Sequence, residues 1–154
     1  MKKTWHRYYL DMLEGIASKS KDEATKVGVI IVGPDNEPRS MGYNSFPRGI
    51  NDDLPERQER PAKYLYIEHG ERNAIYNAAR AGIPLKGCRI YMGFYPCADC
   101  ARAIIQSGIK EIIMDATDYE EKEKYWNERW KEQITASKEM LSEAGIGIVK
   151  HIGD

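Results

Sequence analysis

The sequence predicts an α/β sandwich built around a mixed sheet, and three observations carry that assignment. Five short apolar or β-branched runs recur from residue 27 to residue 150. The first two are joined by a short turn, as an antiparallel hairpin requires. The later ones are separated by stretches of helical periodicity, which parallel crossovers require.

Residues 5–17 are predicted to be the first helix, because Trp5, Tyr9, Met12 and Ile16 fall on one face and Thr4 offers an N-cap oxygen. "VGVIIVG" (27–33) is a continuous β-branched run, so a buried strand, and the turn "GPDNE" ends it. "PRSMGYN" (38–44) is the return strand of that hairpin. The segment 45–66 is polar and rich in Pro, Asp and Arg, and is predicted to be a long loop; such loops in compact domains are usually functional. From about Glu68 the pattern turns helical, with Ala74, Ala78 and Ala81 on one side, until Gly82 and Pro84 stop it. "CRIYMGFY" (88–95) follows as a strand, "ADCARAIIQSG" (98–108) as a helix ended by Gly108, and "KEIIMDA" (110–116) as a further strand. Residues 119–143 are predicted helical, with Trp126, Trp130 and Ile134 spaced by four, and "IGIVK" (146–150) is the last strand. No repeat, low-complexity tract or linker divides the chain. One domain over 1–154 is therefore expected, with a core of about 18–116 and a helical extension of about 118–146.

Composition narrows the functional classes. Hydrophobic residues make up 42% and charged residues 31%, the balance of a globular protein. Twenty-three basic and 24 acidic side chains leave a formal charge of −1, which gives no field for gripping a long nucleic acid. A small anionic ligand needs only two or three local donors. No apolar run approaches the ~20 residues of a membrane-spanning helix. The N-terminus reaches Asp11 and Glu14 before any long apolar stretch, unlike a signal peptide. A cytoplasmic location is the expectation, and cysteines there stay reduced. Three cysteines in that setting point to metal binding, catalysis or burial rather than disulfides.

Cys97 and Cys100 follow Pro96 at the start of a predicted helix, where the spacing of three brings both sulfurs to one face. The positive end of the helix favours their thiolate forms. Alone, C-x-x-C suits a redox pair or half of a structural zinc site, with structure favoured over catalysis. The redox pair is disfavoured because Pro96 and the preceding strand do not resemble a thioredoxin turn. A catalytic zinc takes three protein ligands and leaves its fourth position to water. The third ligand is most simply His69, since His6 lies in the first helix and His151 near the end of the chain. Glu71 stands two residues beyond His69, about 200° round a formed helix. The two share a pocket only where the chain enters the helix, and a carboxylate beside the metal that does not ligate it suits acid–base work. Cys88 is expected to be a small buried hydrophobe, with a ligand role as its alternative.

H-G-E at 69–71 and P-C-A-D-C at 96–100 match the H-x-E…P-C-x-x-C pattern of zinc nucleobase deaminases. The sequence resembles that superfamily, and more narrowly the deoxycytidylate deaminases. "SKDEATKVGVIIV" (20–32) is similar to the family's first strand and its approach. "GYNSFPRGINDDLP" (42–55) resembles its G-Y-N-G-x-P-x-G-x-x-D-D loop, with Ser45 where Gly is usual. "FYPCADCARAIIQSGIKEII" (94–113) resembles its F-P-C-x-x-C-A-x-x-I-I-Q-A-G-I block.

The resemblance implies a three-layer α-β-α sandwich with a five-stranded mixed sheet, and one zinc ion held by His69, Cys97 and Cys100. Glu71 would take a proton from the attacking water, deliver it to N3 of cytosine and assist loss of ammonia, turning dCMP into dUMP. Asn44 would lie near the sugar and base, the Gly70 N–H would contact the base, and Tyr95 and Pro96 would line the base pocket. Lys26 and Arg48 are the named candidates for the phosphate, among Lys19, Lys21, Arg57 and Arg60. A homo-oligomer acting on a small nucleotide is implied. Alternatives are a deaminase of another nucleobase, nucleotide or tRNA adenosine, or a silent zinc-binding scaffold, which would have no use for Glu71. Two departures stand out: Gly70 replaces the common Ala, and 118–146 is longer and more aromatic than the family's usual end. Its Trp126/Trp130/Ile134 stripe is expected to serve as core or subunit interface, with reshaping of the pocket as the alternative.

Overall fold

The computed structural model describes residues 2–154. Helix α1 spans Trp5–Ala17, and the hairpin consists of β1, Gly28–Val32, and β2, Pro38–Tyr43. Two short helices follow, α2 (Pro55–Gln58) and α3 (Lys63–Tyr66), and then α4 (Gly70–Ala81). The remainder alternates: β3 (Arg89–Met92), α5 (Ala98–Gln106), β4 (Glu111–Asp115), α6 (Tyr119–Glu123), α7 (Glu128–Glu143) and β5 (Gly147–His151). The strands form one sheet in the order β2-β1-β3-β4-β5. β1 runs antiparallel to both β2 and β3, whereas β3, β4 and β5 are parallel. The predicted five-stranded mixed sheet is thus present.

Both faces of this sheet are covered, which explains why its strands read as unbroken apolar runs. Val29, Ile31, Ile90, Met92, Ile112 and Met114 point to one side. There they pack with Ala74 and Ala78 of α4, Ala101 and Ile104 of α5, and Ile134 and Leu141 of α7. Ile30, Val32, Tyr91 and Ile113 point to the other side, where Tyr9 and Leu10 of α1 cover them. These are the three layers, with α1 alone on one face. Thr4 caps α1 through Arg7 N at 3.1 Å, as its position suggested. No helix among the described residues is long and apolar enough to cross a membrane.

Three local expectations need correction. The segment 45–66 is not structureless, since it contains α2 and α3. The third strand stops at Met92 instead of Tyr95, because the chain bends at Gly93 and Phe94 on its way into α5. The helix expected over 119–143 breaks between α6 and α7, where the Asn127 side chain caps α7 by accepting from Trp130 N at 2.8 Å. Trp126 therefore lies in the break, with Trp130 and Ile134 on α7.

One close approach sets the position of α4. A Cβ on Gly42 of β2 would sit 2.4 Å from Ala74 N and 2.6 Å from Gly70 O, both backbone atoms of α4. Only hydrogen at that position lets the helix lie this close to the strand. Asn73 Nδ2 secures the same junction by donating to Tyr43 O at 2.8 Å and Ser45 Oγ at 3.1 Å. Ser45, unusual for its place in the loop, thus ties the loop to α4. Gly42→Ala must push α4 outward, so thermal unfolding should show a loss of about 1–3 kcal/mol or more. Retained zinc at unchanged stability in that variant would contradict the packing described.

Candidate active site

The sequence places two ligands at helix entrances, and the fold brings those entrances together. His69 is the N-cap residue of α4, with extended backbone at φ −74° and ψ 153°. Cys97 is the N-cap of α5, at φ −66° and ψ 171°. Pro96, buried, leads into it, and Cys100 lies one turn further on. His69 Nδ1 is 3.5 Å from Cys97 Sγ and 3.5 Å from Cys100 Sγ. The three donor atoms all lie within 4.8 Å of one another. Tetrahedral zinc with sulfur at about 2.3 Å and nitrogen at about 2.0–2.1 Å holds such atoms roughly 3.6 Å apart. The spacing and the soft N/S donor set therefore fit zinc, and these three residues would hold it.

Without a metal the three donors hold their protons unequally, and binding zinc must displace those on Cys100 and His69. The hydrogen bond from Cys100 holds the Cys97 thiol down to about 4, against the opposing effect of burial, and keeps Cys100 protonated. The Cys97 hydrogen bond in turn raises His69. Arg72 Nη1 lies 3.9 Å from Cys97 Sγ and 3.6 Å from Asp99 Oδ2. Its Nε pairs with Glu68 Oε1, which also accepts from His69 N at 3.3 Å. Glu68 and Arg72 thus form an outer support beside the ligands. Their separation of four residues was the available signal.

Glu71, the second residue of α4, is 6% exposed, and its Oε2 lies 3.7 Å from Cys100 Sγ. Burial pushes its carboxyl well above the usual range. It opens with His69, Gly70 and Cys97 onto a cavity of about 620 Å³, within the range of small-molecule sites. Asp22, Thr25, Val27 and Asn44 supply another part of its lining, and Lys122, Tyr125, Trp126 and Trp130 come from the α6–α7 segment. The aromatic stripe thus borders the cavity as well as the core.

The other predicted contacts are distributed unevenly. Asn44 reaches the cavity, but its Nδ2 donates to Thr25 O at 2.8 Å and Asp22 Oδ2 at 3.3 Å, while its Oδ1 accepts from Val27 N at 2.8 Å. Tyr95 and Pro96 are not on the cavity lining. Tyr95 packs edge-on against Tyr119, with Lys138 over its ring at 4.6 Å, and Phe94 lines the cavity instead. Neighbouring residues of an extended chain point to opposite sides, so only one of the two faces the cavity. Arg48 donates to Asn77 Oδ1 at 2.6 Å and lines a separate cavity with Lys19 and Lys21. Lys26 is exposed and borders neither. Cys88 is fully buried, and His6 meets Tyr91 Oη at 3.1 Å beside the His151 ring; none of these three joins the ligands.

Residues 3–116 match the family described as the cytidine and deoxycytidylate deaminase zinc-binding region. The chain belongs to that family. It is 36% identical to mouse deoxycytidylate deaminase over 147 residues, covering 92% of this chain and 76% of the mouse protein. An Aliivibrio fischeri protein named as an uncharacterized deaminase is 38% identical over 144 residues, covering 94% and 91% of the two chains. In fold, the deaminase-family sheet and its helices are similar to a cyanophage S-TIM5 dCMP deaminase structure. The TM-score is 0.73 at 23% identity, with 98% and 99% of the chains covered.

A buried ion pair holds the cavity wall together. Lys63 Nζ lies 2.6 Å from Asp22 Oδ2, with side chains 9% and 5% exposed. Burial pushes the Asp22 carboxyl up, but the Lys63 hydrogen bond and the Thr25 and Ala24 amides together bring it below the ordinary value. Stability from this depressed group is fully present above the unfolded value near pH 4 and is lost as pH falls through the lower folded value. Lys63→Met leaves a buried, unpaired carboxylate and should cost about 3–5 kcal/mol at pH 7. Chemical denaturation should show that penalty shrinking below about pH 4; a penalty independent of pH would count against the pair.

Proposed function

We propose that this chain catalyses the hydrolytic deamination of a cytosine nucleotide, dCMP to dUMP and ammonia. The observation that carries the reading is Glu71, a buried carboxyl outside the ligand group, lining the cavity beside His69 and Cys97. Membership of the deaminase family and the named activity of the mouse relative support the choice of substrate.

Bound zinc supplies Lewis-acid polarisation and lowers the pKa of its water to about 7. Glu71 takes a proton from the attacking water and passes it to N3 as the new C4–O bond forms. It then carries the remaining hydroxyl proton to the amino group, the C4–N bond breaks, and ammonia leaves with the C4 carbonyl restored. A carboxyl raised by burial holds a proton more readily than an ordinary one, which suits a group that must both take and give it. The N–H of Gly70, in the first turn of α4 and on the cavity lining, is free to donate to the base carbonyl. Both amide hydrogens of Asn44 are engaged, so Asn44 can meet the substrate only through Oδ1, as acceptor from a sugar hydroxyl.

The exposed Met41 on the edge strand β2 and Tyr76 on α4 support the expected self-association. All three cysteines are free, which suits a reducing compartment such as the cytoplasm.

Ammonia release from dCMP, CMP, deoxycytidine, dAMP and a deaminase-substrate tRNA tests the reading directly. Turnover should be fastest on dCMP. Glu71→Ala should lower it by about 10²–10⁴-fold while one zinc per chain is kept. Zinc-loaded protein inert on every substrate would favour the scaffold alternative.

A further inference from the structure

Three cations line the cavity that ends at His69 and Glu71: Arg60, Lys63 and Lys122. The lining carries two acids, Asp22 and Glu71. Lys63 is neutralised by Asp22 at 2.6 Å. Among the described residues, neither Arg60 nor Lys122 has a carboxylate within ion-pair distance. A chain of net charge −1 therefore keeps two uncompensated positive charges at the walls of this one cavity. Acids are plentiful nearby on α6, at Glu120, Glu121 and Glu123, yet none of them lines it.

The two cations come from segments about sixty residues apart, and Tyr64 shows how those segments meet. Arg60 lies over the Tyr64 ring at 5.8 Å, and Arg129 of α7 lies over the same ring at 5.5 Å. The α3 side and the α6–α7 side thus close on each other around one aromatic ring that itself borders the cavity. Arg60 lies just ahead of α3 on the first side, and Lys122 lies on α6 on the second. Phe94, Trp126 and Trp130 line the same cavity, together with His69 and Cys97. Free cations, aromatic rings and the proposed zinc ligands on one cavity are the chemistry that a nucleoside monophosphate needs.

We propose that Arg60 and Lys122 clamp the substrate phosphate and set the preference for nucleotide over nucleoside. The proposal rests on the nucleotide-deaminase reading above and adds the residues that select the charged substrate. Arg60 offers a planar fork of donors and Lys122 a mobile point charge, so together they can meet a dianion from two sides. Half of the clamp comes from the long aromatic segment in which this chain departs from its family's usual end. The neutralised Lys63–Asp22 pair is suited to an uncharged neighbour such as a sugar hydroxyl, not to the phosphate.

The test compares zinc-loaded wild type with Arg60→Gln, Lys122→Gln and the double variant. Calorimetry gives the affinities for dUMP and deoxyuridine, and kinetics give kcat/KM for dCMP and deoxycytidine. Each single variant should weaken dUMP by at least about tenfold, the loss of one charged hydrogen bond. The double variant should lose most of the nucleotide-to-nucleoside ratio in both measurements, whereas Arg60→Lys with Lys122→Arg should retain it. Both residues are exposed, and unfolding temperature and zinc content check that the variants fold. A double variant with the wild-type dUMP-to-deoxyuridine ratio overturns the clamp, as does a wild type that binds the two equally. A wild type that prefers dUMP but deaminates no cytosine nucleotide contradicts the substrate reading instead, and the binding ratio still decides the clamp.

Discussion

Two helix N-termini converge on one face of the sheet, and every functional side chain depends on that convergence. His69 and Cys97 are N-cap residues, so their backbones are extended and their side chains project from the helix ends. Glu71 and Cys100 lie within the first turns behind them. The positive ends of α4 and α5 favour anionic sulfur and a nearby carboxylate. The sheet makes the meeting possible: β2 lies so close to α4 that only glycine fits at position 42, and α5 packs beside α4 over the same strands.

Around this centre the protein uses charge in three different ways. Glu68 and Arg72 pair behind the ligands and fix their orientation. Asp22 and Lys63 pair within the cavity wall, where Asp22 also holds the Ala24 and Thr25 amides and the amide of Asn44. Burying such a pair brings little net stability, so its value lies in fixing the wall between the approach to β1 and α3. Arg60 and Lys122 line the same cavity without a carboxylate partner among the described residues.

Much of this was legible in the sequence, for identifiable reasons. The strands could be read because both faces of the sheet are buried, which turns each into an apolar run. The zinc ligands were legible because Cys97 and Cys100 recur at helical spacing and His69 was the remaining histidine with a suitable setting. Glu71 followed from the geometry of a helix entrance. Side-chain direction in irregular backbone was not legible: Phe94 and Tyr95 are both aromatic, and only the bend at Gly93 decides which of them faces the cavity. The surroundings of the phosphate candidates were not legible either. Lys26 and Arg48 lie near the right motifs in sequence, but the fold directs Arg48 to another cavity and leaves Lys26 exposed. Lys122 drew no attention because periodicity ran a single helix through the break at 124–127, where the chain turns α6 toward the cavity.

The central claim is that two helix caps and one thiol of the next turn build an open, three-ligand zinc site. Zinc K-edge X-ray absorption on the purified protein tests it most directly. The account predicts one zinc per chain with two sulfurs at about 2.3 Å and two lighter ligands at about 2.0–2.1 Å, one from His69 and one from solvent. Three or four sulfurs, which would bring in Cys88 or a second chain, would contradict it.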